Sequence, residues 1–167
     1  MRGEAGLMAD LGARSIPFAA HEHDAVFTVA ESEAVHAAMP GAHTKNLFLK
    51  DRGGAYWLIT VPADARVDLK ALPAAIGCKP VSFGKADDME RLLGITPGSV
   101  TPLAAINAVP GSITVVLDAA LADADPVNVH PLRNTATLGL RGGAILDLLR
   151  HWGHDPVIAA IPVQDSL

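Results

Sequence analysis

The sequence contains a single cysteine, Cys78, among 167 residues, so no disulfide can close within the chain and no cysteine-based metal cluster can form. A lone cysteine among apolar neighbours reads as a small packed residue of a reducing compartment. Positive charge is scarce too: 13 Lys and Arg stand against 18 Asp and Glu, a formal net charge of −5. That balance excludes a DNA-coating role, because binding to phosphate backbones rests on clustered cations. Any nucleic-acid contact must be local, and its candidates are Lys45, Lys50 and Arg52, then Lys79 and Lys85, then Arg133 and Arg141. No apolar run approaches the roughly 20 residues needed to span a bilayer. Near the N-terminus, Glu4, Asp10 and Arg14 interrupt the apolar residues before a signal-peptide core develops. The expectation is a cytoplasmic protein with no membrane contact.

Several catalytic signatures are missing as well. There is no Gly-x-Ser-x-Gly elbow for a nucleophilic serine, no Gly-x-Gly-x-x-Gly fingerprint and no phosphate-binding P-loop. His21-x-His23 would place two imidazoles on one side of an extended strand, with His36 and His43 further along, but no cysteine cluster or His-Glu-x-x-His helix accompanies them. No metal and no cofactor are expected.

What is present is a chain that is 50% hydrophobic, with Gly and Pro scattered along it. Residues 1–167 read as one globular domain, large enough to hide roughly two thirds of its unfolded surface without a staple. Residues 4–11 have helical spacing ended by Gly12, residues 16–20 read as extended, residues 24–29 alternate weakly, and residues 31–39 are helical before Pro40-Gly41. The clearest hairpin joins Leu47-Phe48-Leu49 to the apolar run at 55–61 through Gly53-Gly54. Asp68 is placed to cap a helix over 69–76, Val81-Ser82-Phe83 is a short strand, and residues 87–93 form a helix closed by Gly94. Residues 96–102 carry too many breakers for regular structure. Strands over 113–117 and 135–140, a helix over 143–152 and a strand over 157–161 complete an α+β domain.

Three short features could carry chemistry: Lys45-Asn46 at the start of a strand, the Gly-x-x-x-Pro loop from Gly98 to Pro102, and His130-Pro131-Leu132-Arg133-Asn134. Taken singly they are a solvated lysine, a turn and a rigid corner. In this order, together with Gly41-Ala42-His43-Thr44-Lys45-Asn46-Leu47-Phe48-Leu49-Lys50-Asp51, Tyr56-Trp57-Leu58-Ile59, Val67-Asp68-Leu69-Lys70, Leu93-Gly94-Ile95-Thr96-Pro97 and Val116-Leu117-Asp118, they form a pattern running nearly the length of the chain. This pattern resembles the YbaK/prolyl-tRNA synthetase-associated editing domain family. The Lys45-Asn46-Leu47-Phe48-Leu49-Lys50 string resembles its free-standing ProXp-ala (PrdX) branch, whose members hydrolyse alanyl-tRNA(Pro).

The resemblance implies a mixed, barrel-like β-sheet with short helices around it, and hydrolysis of the ester between an amino acid and the terminal ribose of tRNA. Gly98, Ser99, Val100 and Thr101 would hold the aminoacyl end, with backbone N–H groups stabilising the oxyanion. The substrate's own ribose hydroxyl would help to activate water. Lys45 serves better as a cation on the phosphate or ribose of the terminal adenosine than as a base, a role that would require burial to lower its pKa by several units. Asn46 and His130 would surround the amino acid and the water, supported by Asn134. Lys45, Lys50 and Arg133 would contact tRNA. The implied partners are the acceptor end of mischarged tRNA(Pro) and prolyl-tRNA synthetase. The alternatives are the same fold acting on Cys-, Ser- or Thr-tRNA, and a non-catalytic module that binds tRNA or the synthetase.

Overall fold

The structure, a computed structural model, describes residues 1–25 and 29–164, with only the backbone described for Val29, Ala30 and Ser32. The described elements in chain order are α1 (Glu4–Ala13), β1 (Ala19–Glu22), α2 (Val29–Ala38), β2 (Ala42–Asp51), β3 (Tyr56–Pro62), α3 (Leu72–Ile76), β4 (Val81–Phe83) and α4 (Ala86–Leu93). These are followed by β5 (Thr114–Asp118), α5 (Ala119–Ala122), β6 (Val127–Val129), β7 (Ala136–Leu140), α6 (Gly142–His151) and β8 (Val157–Ala159). The strands make a mixed eight-stranded sheet in the order β1-β7-β6-β2-β3-β5-β8, with β4 added beside β2. This is the mixed α+β architecture expected from the sequence. Among the described residues no helix is long and apolar enough to cross a membrane.

β2 and β3 form the central hairpin, with Asn46 opposite Thr60 and Phe48 opposite Leu58. Alternation along these strands separates two apolar clusters. Phe48 and Leu58 join Leu7, Leu11, Leu138 and Ile145 in the larger cluster, while Leu49, Trp57, Ile59 and Val61 join Leu72, Val116 and Ile161 in the other. β3 is thus buried on both faces, which is why it reads as an unbroken apolar run; each such Leu or Ile contributes about 1.5–3 kcal/mol. The turn is organised by Asp51, whose Oδ1 accepts from the backbone N–H of Gly53 (2.9 Å) and Ala55 (3.1 Å). Its Oδ2 accepts from Trp57 Nε1 (3.2 Å) and Lys79 N–H (3.3 Å).

Local departures from the sequence reading have physical causes. Helix α1 runs through Gly12 to Ala13, and the chain turns instead at Ser15 in a left-handed conformation, φ 54°. Asp68 binds the N–H groups of Lys70 and Ala71, capping a turn that precedes a helix shortened to Leu72–Ile76 with Pro73 in its first turn. The breaker-rich stretch folds into two 3-10 turns, Pro97–Ser99 and Pro102–Asn107, each starting on a proline whose missing N–H would be unbonded there anyway. The weak alternation at 24–29 falls partly on 26–28, outside the described residues, and Val29 opens α2.

Candidate functional site

β2 pairs with β3 along one edge and with two short strands along the other: β6 at Ala42 and His43, and β4 from Leu49 to Asp51. Ala42 donates its N–H to Pro126 and Phe48 offers its carbonyl to Gly84, so the even-numbered residues of β2 turn their backbone groups toward this second edge. Between the short strands no described strand pairs with that edge. A cavity of about 630 Å³ lies at the gap, lined by Thr44, Lys45 and Asn46 from both faces of β2.

Beside Asn46 the wall is formed by Gly98, Val100 and Asn134, and His130 also lines the cavity. The Val100 carbonyl can only accept, so the Asn46 amide NH2 faces it (3.1 Å), and the Asn46 oxygen accepts from the Thr60 hydroxyl (2.6 Å). Both ends of Asn46 are thereby engaged, and its observed action is to fasten the Gly98 loop to the hairpin. A Cβ on Gly98 would come to 3.3 Å from Asn134 Nδ2, so this glycine supplies closeness of approach. The Ser99 N–H is spent on the Thr96 carbonyl (3.0 Å).

His130 Nδ1 lies 2.9 Å from the Ala136 carbonyl, which requires the proton on Nδ1 and leaves Nε2 as the ring's acceptor. Burial pushes the His130 pKa below its ordinary value; the hydrogen bond to Ala136 opposes that shift and nearby His23 adds to it. The ring is neutral at pH 7. It sits on a loop fixed in two ways: Leu132 takes a left-handed φ of 68° while packing against the larger apolar cluster. Arg133 donates to Glu4 (2.6 Å), to both Glu22 oxygens (2.6 and 2.8 Å) and to Thr135 (2.8 Å).

On the other face of β2, Lys45 and His43 reach the cavity alongside His36, Met39, Ala63 and Asp64. Lys45 is the one Lys or Arg among the described lining residues. His23 Nδ1 donates to the Asp24 carbonyl and its Nε2 accepts from Thr137 (both 2.8 Å), so neither nitrogen is oriented for a metal. Among the described residues no three His, Cys, Asp or Glu side chains come together as a metal site.

Residues 23–148 match the model of the aminoacyl-tRNA editing domain. The chain belongs to the aminoacyl-tRNA editing domain family. It is 37% identical over 159 residues to the cattle prolyl-tRNA synthetase associated domain-containing protein 1, covering 92% of each chain. It is 33% identical over 141 residues to the prolyl-tRNA editing protein ProX of Acetoanaerobium sticklandii, covering 84% of this chain and 86% of that one. A solved structure described as a candidate trans-editing enzyme for prolyl-tRNA synthetase shares the fold, with a TM-score of 0.70 at 20% identity over 97% of this chain and 99% of that one.

In this editing domain the cavity gathers Lys45, Asn46, Gly98, Val100, His130 and Asn134, six of the residues singled out from the sequence. The other four lie elsewhere. Ser99 is buried, and Thr101 is fully buried with its hydroxyl accepting from Leu103 N–H (3.3 Å) as the cap of the second 3-10 turn. Lys50 is five residues from Lys45, hence on the opposite face of β2 and about 17 Å along it, where its ammonium sits 5.4 Å from the Tyr56 ring centroid. Arg133 does not line the cavity and is paired with Glu4 and Glu22. The sequence reading missed Thr60 and Asn128. Thr60 becomes visible once the hairpin register is counted outward from Gly53, which sets it opposite Asn46. Asn128, which bonds the Pro40 carbonyl (2.9 Å), carries no such signal.

Proposed function

We propose that this editing domain is an aminoacyl-tRNA deacylase that removes alanine from mischarged tRNA(Pro). The observation that carries the reading is the gap in the sheet beside β2, where one cation, a close-approach glycine loop and a neutral histidine face the same space. The names of the cattle and Acetoanaerobium relatives support the prolyl-tRNA side of the assignment. A prolyl-tRNA synthetase that releases the mischarged tRNA is the partner implied.

In this reading Lys45 binds the phosphate or ribose of the terminal nucleotide as a cation. The ester carbonyl rests against the Gly98 loop, whose backbone N–H groups stabilise the charge that develops on oxygen as water attacks. His130 Nε2 accepts a hydrogen bond from that water and orients it, while the adjacent ribose hydroxyl helps to move the proton. Positioning supplies much of the rate. The cavity as a whole is far larger than an alanyl group, so exclusion of the proline ring belongs to the part bounded by Gly98, Val100 and His130.

The reading is tested by following loss of alanine from an alanylated tRNA(Pro) acceptor minihelix under single-turnover conditions. Wild-type protein should deacylate it, and Lys45→Ala should abolish the reaction while the far-ultraviolet circular dichroism spectrum stays native. Undiminished activity of that variant would refute the site assignment.

A further inference from the structure

The His36 and His43 rings stack at 4.1 Å between centroids with an interplanar angle of 15°, and both line the cavity on the Lys45 side of β2. They make up the one stacked aromatic pair among its described lining residues; the other two rings there, His23 and His130, are tilted by 54° at 6.3 Å and bonded through their nitrogens. His43 Nε2 lies 3.1 Å from the Met39 carbonyl, which accepts only, so a donated hydrogen bond holds the ring plane in place. Stacked rings held in this way offer a flat, preoriented aromatic face among the cavity's lining residues.

We infer that the His36–His43 stack is the platform on which the terminal adenine base of tRNA lies. The inference rests on the proposal above that an acceptor end enters this cavity. Unpaired bases are held in protein sites by stacking on aromatic side chains, histidine included. The position fits the chemistry of a single nucleotide. His43 is two residues before Lys45 on the same face of β2, about 7 Å away along the strand, so one ring can carry the base while the ammonium meets its phosphate or ribose. The Asn46 face then receives the ester. The nucleotide then lies toward His43 and Lys45 and the acyl group beside Asn46, which accounts for a volume well beyond that of an amino acid.

The charge state agrees. Burial lowers the His36 pKa, His43 and His130 lower it further, and Glu33 from α2 opposes them. The other charged groups on the cavity wall are Lys45 and Asp64. At neutral pH His36 presents an uncharged ring.

The test uses a tRNA(Pro) acceptor minihelix that ends in 2-aminopurine ribonucleotide and carries alanine through a 3′-amide that cannot be hydrolysed. Stacking quenches 2-aminopurine fluorescence. Wild-type protein should bind with strong quenching, and the double variant His36→Phe/His43→Phe, which keeps two rings, should do the same. The double variant His36→Ala/His43→Ala should lose the quench and bind roughly 10-fold more weakly. Quenching and affinity retained by the alanine pair would overturn the platform, as would loss of both by a phenylalanine pair that melts like wild type. Turnover of the ester-linked parent without any quench would sink the platform and leave the deacylase. Quench without turnover would do the reverse.

Discussion

Lys45 faces a cavity in which no other described Lys or Arg can substitute for it. Lys45→Ala should therefore lower kcat/KM by about 100-fold or more, the scale on which removal of a preorganised electrostatic contact acts, with little effect on Tm because the side chain is only half-buried. His130 makes a pH prediction. Because its pKa lies below the ordinary 6.5, the ring keeps its acceptor through neutrality, and the enzyme-catalysed rate should stay flat down to that value and fall only at more acid pH. The same shift bears on stability: the unfolded chain takes up the proton first, so acidification below about 6.5 favours unfolding. A rate that already halves near pH 7 would contradict the buried neutral ring. Gly98→Ala should cost roughly 10- to 100-fold in rate, because its Cβ, 3.3 Å from Asn134 Nδ2, would crowd the loop proposed to hold the ester. At this scale the sequence was informative about residue types: Lys45, Gly98 and His130 stood out through their order along the chain. Their division of labour was not legible. That Asn46 fastens a loop, and that Thr101 caps a turn, depends on which backbone groups come within hydrogen-bond reach.

The hairpin was legible as an element because Gly53-Gly54 and the flanking apolar runs belong to one local pattern. Its anchor, Asp51, was not, since the Lys79 N–H comes from 28 residues away and the Trp57 indole reaches it only across the formed hairpin. Burial opposes ionisation of Asp51, but the hydrogen bonds from Ala55, Trp57, Lys79 and Gly53 outweigh it and hold its pKa below 3.8. Asp51→Ala should destabilise by about 1–3 kcal/mol, measurable by urea unfolding. Its contribution is fully present above pH 3.8 and is lost as pH falls through the lower folded value. β6 and α5, of three and four residues, were not read from the sequence. Yet β6 decides where the gap opens. Gly41, at φ 97° and packed against the Pro126 carbonyl where a side chain would collide, lets β2 meet β6. Gly41→Ala should therefore impair both stability and deacylation, where Lys45→Ala impairs deacylation alone.

The molecule as a whole carries a net charge of −5 and has one Lys or Arg among the cavity's described lining residues, so its hold on tRNA should be weak and only mildly salt-dependent. A log–log salt slope of about −2 or shallower is expected, since each neutralised phosphate contributes about 0.7 for single strands. The mixed sheet was anticipated through family resemblance, because long-range pairings such as β2 with β6 leave no local trace in the sequence. Arg133 shows the same limit: a basic residue beside His130-Pro131 looked available to tRNA, while Glu4 and Glu22, more than 100 residues away in sequence, hold it. Arg133→Ala should lower Tm and slow deacylation by loosening the His130 loop, without changing the salt slope. The central claim, selective removal of alanine, is tested most directly by incubating the purified protein with alanyl-, prolyl- and cysteinyl-tRNA(Pro) and following the acylated fraction of each. The account predicts rapid loss of the alanyl form with the prolyl form spared. Robust loss of the prolyl form, or no loss of any, would contradict it.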